Sequence, residues 1–170
     1  MINRFSKSVA VIAVFFFAQL HLLAQEKPNA MKVLPNKGTP VKGVAIHQEV
    51  DFTTSPRLLY NALLDSKQFS AFSGRGAKID SIVGNSFSVF DGHIIGRNVE
   101  LVPNQRIVQA WRVADWPEGV YSIVKFEFKS QTSGTHLVFD HTGFPVELRD
   151  HLAAGWKMNY WDLLTKYFHK

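Results

Sequence analysis

The sequence of 170 residues contains no cysteine. This absence excludes disulfide bonds, a thiol nucleophile, cysteine-ligated metal centres and the lipid-modified cysteine of a lipoprotein. The stability of the protein must therefore come from an apolar core. A composition of 46% hydrophobic and 19% charged residues is ordinary for a globular protein, and the length allows for one domain with one core.

Motifs for the commonest enzyme chemistries are missing as well. The sequence has no G-x-S-x-G, no phosphate-binding loop and no dinucleotide-binding fingerprint. Its seven histidines form neither H-x-x-x-H nor H-E-x-x-H, so we predict no metal site and no cofactor. A cyclase or hydrolase that uses scattered polar residues inside a cavity stays open as an alternative.

The polar residues that remain fit structural roles. Asp140 and His141 are neighbours in a predicted strand, so their side chains point to opposite faces and cannot both enter one cavity. Glu100 and Arg112 are predicted to form a structural salt bridge across neighbouring strands. Four histidines are predicted to lie at the surface or at element boundaries: His47, His136, His151 and His169.

The first 25 residues contain no acidic residue. Arg4 and Lys7 precede an apolar run over residues 9–20, which is typical of a secretory signal peptide that is cleaved near Ala24 or Gln25. An uncleaved membrane anchor is the alternative, but the run is shorter than the ~20 apolar residues that span a bilayer. We therefore predict export to the periplasm or the extracellular space, with no stable membrane insertion after cleavage.

Residues 26–42 carry three prolines and four lysines with little periodicity, which predicts a linker before a domain over residues 43–170. Loss of residues 1–25 removes Arg4 and Lys7 and no acid, so the net charge falls from +5 to +3. The remaining basic residues are scattered rather than clustered. Nucleic-acid binding is therefore not predicted.

The domain begins with a predicted strand over residues 43–52, where apolar and polar residues alternate. Thr54 or Ser55 as N-cap and Pro56 in the first turn predict a helix from Pro56 to about Asp65. A second short helix is predicted over residues 66–72.

Residues 77–144 contain only extended runs that turn residues separate. This pattern predicts an antiparallel meander of five or six strands. Asp91 and Gly92 mark its strongest hairpin signal. A sheet of this kind must cover one apolar face, and the aromatic C-terminal helix is the only predicted element long enough to do so.

The closing helix, in HLAAGWKMNYWDLLTKYF, has an apolar stripe at helical spacing: Leu152, Trp156, Tyr160, Leu163 and Tyr167. Gly155 is predicted to mark a close approach of this helix to the sheet. Trp161, half a turn from the stripe, is predicted to be exposed and to indicate an interaction surface, with packing against the first strand or the short helices as the alternative.

Four phrases carry a family resemblance: VDFTTSPRLLYNALLD, GNSFSVFDGHIIGRNVELVPNQRIVQAWRVADWP, GTHLVFDHTGFP and the closing helix. These phrases resemble the START-like (SRPBCC) superfamily. The features that they share with it are the F-x-D-G hairpin, the second glycine at Gly96, the W-R followed by W-P and the G-W of the last helix. Within this superfamily, the chain is similar to the C-terminal domain of the activator of Hsp90 ATPase. The resemblance implies an α+β helix-grip fold, in which a curved antiparallel sheet wraps around a long C-terminal helix and two short helices follow the first strand.

The resemblance also implies a cavity between sheet and helix, although a filled core stays open as the alternative. Aromatic side chains with one polar atom suit the lining of such a cavity. The candidate lining residues are Phe90, His93, Val99, Leu101, Trp111, Phe126, Phe128, Leu137, Phe139, Trp156 and Tyr160.

These residues and the resemblance together point to two functions from different classes. The first is an exported, non-catalytic carrier that holds a hydrophobic small molecule. The second is a protein-interaction domain of the kind that the Hsp90-activator resemblance implies, with a partner that the sequence does not identify. A cleaved signal peptide would argue against cytosolic Hsp90 as that partner, since an exported chain would not meet it.

Overall fold

The computed structural model describes residues 44–169. The predicted signal peptide, over residues 1–25, and the predicted linker, over residues 26–42, lie outside the described residues. Within the described range, no helix combines the length and the apolar character that crossing a bilayer requires.

The first elements form where the sequence predicts them. Strand β1 (Ala45–Phe52) is followed by helices α1 (Pro56–Leu64) and α2 (Ser66–Ser73). The Ser55 hydroxyl caps α1 by accepting from the Leu58 amide at 3.4 Å, and the Asp65 carboxylate caps α2 in the same way. The two predicted short helices are therefore confirmed.

Six further strands form a continuous antiparallel meander: β2 (Lys78–Ile79), β3 (Ser86–Val89), β4 (Ile94–Val102), β5 (Arg106–Val113), β6 (Ser122–Gln131) and β7 (Gly134–Thr142). The seven-stranded sheet has the order β1-β7-β6-β5-β4-β3-β2. Because β1 pairs with β7, the first strand closes one edge of the meander. The predicted α+β fold class is confirmed, with a curved sheet around a C-terminal helix.

The predicted hairpin at Asp91 and Gly92 joins β3 to β4. Phe90, Asp91 and Gly92 all have positive φ angles, of 53°, 58° and 91°. The Asp91 carboxylate accepts a hydrogen bond from the Gly76 amide at 2.8 Å and so fastens the turn to the segment after α2. A bulky residue such as Phe90 rarely adopts this backbone region, so the surrounding contacts must hold it there.

The C-terminal helix contains a π-helical turn. Helix α3 (Arg149–Trp156) runs into a π-turn over Lys157–Trp161, and helix α4 (Asp162–Phe168) completes it. One extra residue in this turn rotates the helix face that follows it. Leu163 and Tyr167, predicted on the apolar stripe, are therefore only half-buried, whereas Leu164 is completely buried.

Trp161 corrects the prediction of an exposed side chain. It is only 4% exposed, and its indole N–H donates to the Gln48 side-chain oxygen at 2.7 Å. The Gln48 amide in turn donates to the carbonyl of Ala153 at 3.0 Å. Because the π-turn rotates Trp161 toward β1, this residue joins the helix to the edge strand and offers no interaction surface.

Gly155 does not mark a close approach to the sheet. A β-carbon at this position would meet only the Asn159 side-chain amide, at 3.9 Å. Gly96 is the glycine that permits close approach: a β-carbon there would clash with the Ala110 carbonyl oxygen of β5 and with the Phe87 ring of β3. Gly96, the second glycine of the family resemblance, is therefore required for the close packing of β4 against its neighbours in the sheet.

We expect the two glycines to respond oppositely to alanine. Gly96→Ala should lower the free energy of unfolding by about 1 to 3 kcal/mol, because the backbone of β5 cannot move away from the added methyl group. Gly155→Ala is the matched control and should raise it by about 0.5 to 1 kcal/mol, since alanine favours the helix and its methyl group makes only an ordinary contact with Asn159. Urea denaturation measures both. Equal stability of Gly96→Ala and the wild type would contradict the packing described here.

Candidate functional site

A cavity of about 490 Å³ lies between α3, the β3–β4 hairpin, β5 and the loop that follows β5. Its interior is apolar and largely aromatic, and its mouth is polar. The buried lining residues are Phe90, Ile94, Trp111, Trp116, Leu152, Trp156 and Tyr160. The exposed lining residues are Arg75, His93, Asp115, His151 and Asn159. Because these polar residues reach solvent, the cavity opens at the surface.

Five of the predicted lining residues lie around this cavity: Phe90, His93, Trp111, Trp156 and Tyr160. Four others are buried on the same face of the sheet but do not line the cavity: Phe126, Phe128, Leu137 and Phe139. The Phe139 ring lies 4.3 Å from the Trp156 ring, centroid to centroid, and so fills the space beneath the helix. The core is thus filled beneath Trp156, where Phe139 lies, and open on the side of the helix that faces the β3–β4 hairpin.

Val99 is the clearest departure from the predicted lining. A β-bulge in β4 shifts the pairing with β5 between Asn98 and Glu100, which leaves Val99 as the extra residue. Val99 is consequently 50% exposed, whereas Leu101 is half-buried against the core without lining the cavity. The bulge reverses the inward and outward alternation that the prediction assumed.

The loop after β5 closes one side of the cavity, and Arg112 holds this loop in place. Its guanidinium donates to the carbonyls of Val113, Ala114 and Trp116. Trp116 is thereby fixed over Trp111, with ring centroids 5.7 Å apart. The W-P phrase of this loop is one of the family-like features of the sequence, but no local pattern predicted that Trp116 would lie in the site.

The predicted salt bridge between Glu100 and Arg112 is not formed. The register of β4 and β5 places Arg112 opposite Ile95, and Glu100 instead binds Arg106 through two hydrogen bonds of 2.7 and 2.8 Å. The Arg106 guanidinium holds the pKa of Glu100 below its ordinary value. The strand pairing, which the sequence did not specify, decides between these partners.

Phe90 is held over the cavity in its strained backbone conformation by two aromatic contacts. Its ring packs edge-to-face against Phe69 of α2 at 5.3 Å and against Tyr160 of the π-turn at 5.2 Å. Backbone strain of this kind concentrates at functional sites, where the surroundings hold it. The hairpin, α2 and the C-terminal helix thus meet at this wall of the cavity.

A buried chain of hydrogen bonds joins the helix to three strands. The Trp156 indole N–H donates to Nδ1 of His141 at 3.0 Å, and Nε2 of His141 lies 2.7 Å from the Ser122 hydroxyl. The Ser122 hydroxyl donates to the Trp111 carbonyl at 2.8 Å. Since an indole N–H can only donate, His141 must accept at Nδ1 and carry its proton on Nε2.

This arrangement does not make His141 a catalytic base. Its Nδ1 lone pair is engaged by Trp156, and its Nε2 proton points to Ser122, so it cannot take the proton of the Ser122 hydroxyl. Burial in this apolar setting lowers the pKa of His141 to about 3. Asp140 faces the opposite side, as predicted from strand alternation.

Trp111 carries a buried indole donor next to Tyr160. Its indole nitrogen is buried and has no hydrogen-bond partner within residues 44–169. It lies close to the Tyr160 hydroxyl, whose pKa burial raises well above its ordinary value, and the contact with Trp111 partly offsets that rise. The phenol is therefore neutral.

The outer face of the sheet carries charged and imidazole side chains instead. His47 lies 2.7 Å from the Asp140 carboxylate and 3.2 Å from Glu49, and His136 lies 2.8 Å from Asp51. The hydrogen bond to Asp140 raises the pKa of His47, with a further contribution from Glu49. No group of three metal-ligating side chains able to hold a metal ion occurs within the described range.

Comparison with known proteins identifies the family. A family model described as Activator of Hsp90 ATPase homolog 1-like protein matches residues 53–169. The chain belongs to this family. The resemblance seen in the hairpin and closing-helix phrases is therefore confirmed, and the matched range includes the cavity lining described above.

Curated relatives of the Activator of Hsp90 ATPase homolog 1-like family are longer than this chain. The mouse protein named Activator of 90 kDa heat shock protein ATPase homolog 2 is 30% identical over 148 residues, which is 85% of this chain and 45% of the mouse protein. The human protein named homolog 1 is 27% identical over 145 residues, or 85% of this chain and 43% of the human protein. The chain thus spans less than half the length of these relatives.

Solved structures of similar fold include an HSP90 activator from Plasmodium falciparum. It is 28% identical, with a TM-score of 0.71, and the match covers 75% of this chain and 97% of that chain. An Aha1 dimer from Colwellia psychrerythraea is 18% identical, with a TM-score of 0.62, over 71% of this chain and 92% of that one. At that identity, the second likeness shows the fold alone.

Neutral His141 predicts a loss of stability in mild acid. Its pKa is about 3 in the native state and 6.5 as its ordinary value, so the unfolded chain binds the extra proton as pH falls from 6.5 to 3. The contribution of neutral His141 to the free energy of unfolding is complete above pH 6.5 and decreases as the pH falls towards 3. We expect the free energy of unfolding to fall by up to about 1.4 kcal/mol per pH unit between pH 6 and 4.5, as measured by urea denaturation.

Other titrating groups contribute little to the change in the free energy of unfolding between pH 6 and 4.5. The carboxylates of Asp51, Glu100 and Asp140 have lowered pKa values, and their contributions are lost mainly below pH 4.5. The contribution of His47, whose pKa is raised, is complete below pH 6.5 and is lost only at higher pH. His141→Gln should flatten the acid slope and His47→Gln should keep it. A flat wild-type profile would contradict the neutral buried imidazole.

Proposed function

We propose that this domain binds a hydrophobic small molecule in the cavity beside α3 and acts as a non-catalytic carrier. The observation that supports this proposal is the cavity itself, with a volume of about 490 Å³, an aromatic interior and an exposed polar mouth. Cavities that take small molecules fall between about 300 and 1,000 Å³ and combine apolar walls with a few placed polar groups. The strained Phe90 and the side chain of Trp111 lie on its walls.

Gly155 offers a way to close the cavity without unfolding the protein. It lines the cavity, and a β-carbon added there meets only the exposed Asn159 side chain, at 3.9 Å, rather than the sheet. A leucine at this position would therefore project into the volume that a ligand must occupy. The neighbouring Ala154 is exposed on the same helix and does not line the cavity, which makes Ala154→Leu the matched control.

We expect the uncharged fluorescent probe N-phenyl-1-naphthylamine to bind the wild-type protein with saturation and to raise its melting temperature, because a ligand of the native state stabilises it by mass action. Gly155→Leu should weaken binding by about tenfold or more while keeping the melting temperature of the free protein. Ala154→Leu should bind as the wild type does. Fluorescence titration and thermal denaturation measure these effects.

The carrier proposal would be overturned if the wild type failed to bind this probe and a panel of lipids, sterols and aromatic compounds also left its melting temperature unchanged. Equal binding by Gly155→Leu and the wild type would place the bound probe outside this cavity. That result would also contradict the proposal, since binding would then not depend on the space between α3 and the hairpin.

A second candidate is a protein-interaction function toward Hsp90. The names of the mouse and human relatives support it, and the similar Plasmodium falciparum protein is likewise described as an HSP90 activator. This chain spans less than half the length of the curated relatives, so the experiment must test whether this chain activates Hsp90 by itself. Purified Hsp90 should then hydrolyse ATP faster when the protein is added. No change in rate and no complex by size-exclusion chromatography would reject this candidate.

We also propose that the protein is exported, on the basis of the sequence of residues 1–25. Arg4, Lys7 and the acid-free apolar run support it. Cell fractionation at native expression, with N-terminal sequencing, should find the protein outside the cytoplasm with an N-terminus near Gln25 or Glu26. An intact chain beginning at Met1 in the cytosol would reject export and would favour the Hsp90 candidate over the envelope carrier.

A further inference from the structure

The mouth of the cavity is surrounded by polar side chains that have no partner in the described range. These five exposed residues are Arg75, His93, Asp115, His151 and Asn159. None of them forms a side-chain hydrogen bond or an ion pair with another residue of the range 44–169. Elsewhere on the surface, charged side chains do pair: Arg149 lies 2.9 Å from Asp150, and Lys157 lies 2.8 Å from Asp162. The polar groups of the mouth are therefore available to a bound molecule.

The buried lining of the cavity cannot compensate an ionised group. Within residues 44–169, the buried residues that line the cavity include no charged side chain. The Trp156 indole N–H is engaged by His141, and the buried Trp111 nitrogen lies next to the Tyr160 hydroxyl. Because burial of a charge without a partner is costly, a ligand that carries a charged group must place that group at the mouth.

Hydrogen bonds join the segment of Arg75 to the hairpin that carries His93. Gly76 follows Arg75, donates its amide to the Asp91 carboxylate at 2.8 Å and accepts from the Asp91 amide at 3.0 Å. In the same hairpin, the His93 amide donates to the Phe90 carbonyl at 3.1 Å. Both backbone segments are thus held in place on one side of the mouth, so that binding a ligand requires little ordering of the chain.

The C-terminal helix supplies the polar side chains on the other side of the mouth. His151, Gly155 and Asn159 follow one another at intervals of four residues, and all three line the cavity. A β-carbon at Gly155 would lie 3.9 Å from the Asn159 side-chain nitrogen, so these two positions are adjacent. Because Gly155 has no side chain, the entrance stays open between the helix and the hairpin.

The donors and acceptors of the mouth favour a negatively charged group. Arg75 has a permanent positive charge and five N–H donors, and the side chains of Asn159 and the two histidines also donate. Asp115 is the single carboxylate among the described residues that line the cavity. An anionic group would accept charge-assisted hydrogen bonds from Arg75. A cationic group would have Asp115 as its one charged partner and would be repelled by Arg75.

We propose that the cavity takes an amphiphilic organic acid, whose apolar body lies in the aromatic interior and whose acidic group binds Arg75 at the mouth. This inference rests on the proposed carrier function and specifies the class and the orientation of the ligand. The interior selects the apolar body, and the mouth holds the ionised group in contact with water, where the cost of desolvation is small.

Two fluorescent probes that differ by one acidic group test this assignment. 8-Anilino-1-naphthalenesulfonate has the ring system of N-phenyl-1-naphthylamine with an added sulfonate. The ratio of their dissociation constants, uncharged probe over sulfonate, therefore isolates the effect of the acidic group. Fluorescence titration should give a ratio above one for the wild type. Arg75→Gln should lower this ratio by about threefold or more, because the ion pair is lost at a site in contact with solvent.

Arg57→Gln is the matched control. Arg57 is exposed on α1 and does not line the cavity, and its substitution removes the same charge from the protein. The ratio should stay within about twofold of the wild-type ratio, since salt screens a distant exposed charge. Asp115→Asn should raise the ratio because it removes the carboxylate that repels the sulfonate. Gly155→Leu should weaken the binding of both probes, since both must enter the cavity.

The outcomes separate this inference from the proposed function. If the uncharged probe binds in the cavity and Arg75→Gln leaves the ratio unchanged, the acid assignment is overturned while the carrier function stands. An equal fall of the ratio in Arg57→Gln, or sulfonate binding that Gly155→Leu does not weaken, would also overturn the assignment. If neither probe binds the wild type, both proposals are contradicted. A ratio that falls in Arg75→Gln and is kept in Arg57→Gln supports the assignment.

Discussion

The hydrogen-bond chain from Trp156 through His141 and Ser122 to the Trp111 carbonyl is the interaction on which the rest of the structure depends. It ties the C-terminal helix to β7, β6 and β5 through groups that are all buried and all satisfied. Such a network is specific because any shift of the helix along the sheet would leave several buried polar groups unpaired. The cavity can stay open beside the helix because this chain of hydrogen bonds fixes the middle of the helix, at Trp156, on the sheet.

The π-turn divides the helix into two halves with different roles. Before the turn, Gly155 and Trp156 border the cavity, whereas Trp161 at the end of the turn and Leu164 after it fill the core. The extra residue in the turn allows Tyr160 and Trp161, which are adjacent in sequence, to be buried together, Tyr160 at the cavity and Trp161 against β1. The family assignment is compatible with either a ligand or a protein partner, since one fold supports many functions. The proposed ligand function rests on the open aromatic cavity beside α3.

Local sequence signals predicted the elements well, and five of the eleven candidate lining residues lie around the cavity. Ser55 and Asp65 cap the helices, and Asp91 and Gly92 form the hairpin, because caps and turns depend on residues close in sequence. Val99 departed from its predicted place because a bulge shifts strand alternation by one residue without a distinct sequence signal. Trp116 was not placed in the site because the loop that carries it takes its shape from Arg112 hydrogen bonds to carbonyls.

The sequence by itself determined the family, the order of strands and helices and the aromatic character of the closing helix, because periodicity and motif residues act over short ranges. The tertiary structure alone decided which aromatic residues fill the core and which border the cavity. Phe139 and Trp111 look equivalent as inward strand residues, yet Phe139 packs under Trp156 in the filled core and Trp111 borders the cavity. That difference depends on strand register and on the rotation of the helix at its π-turn. Both are set by contacts between residues distant in sequence, about which a local pattern carries no information.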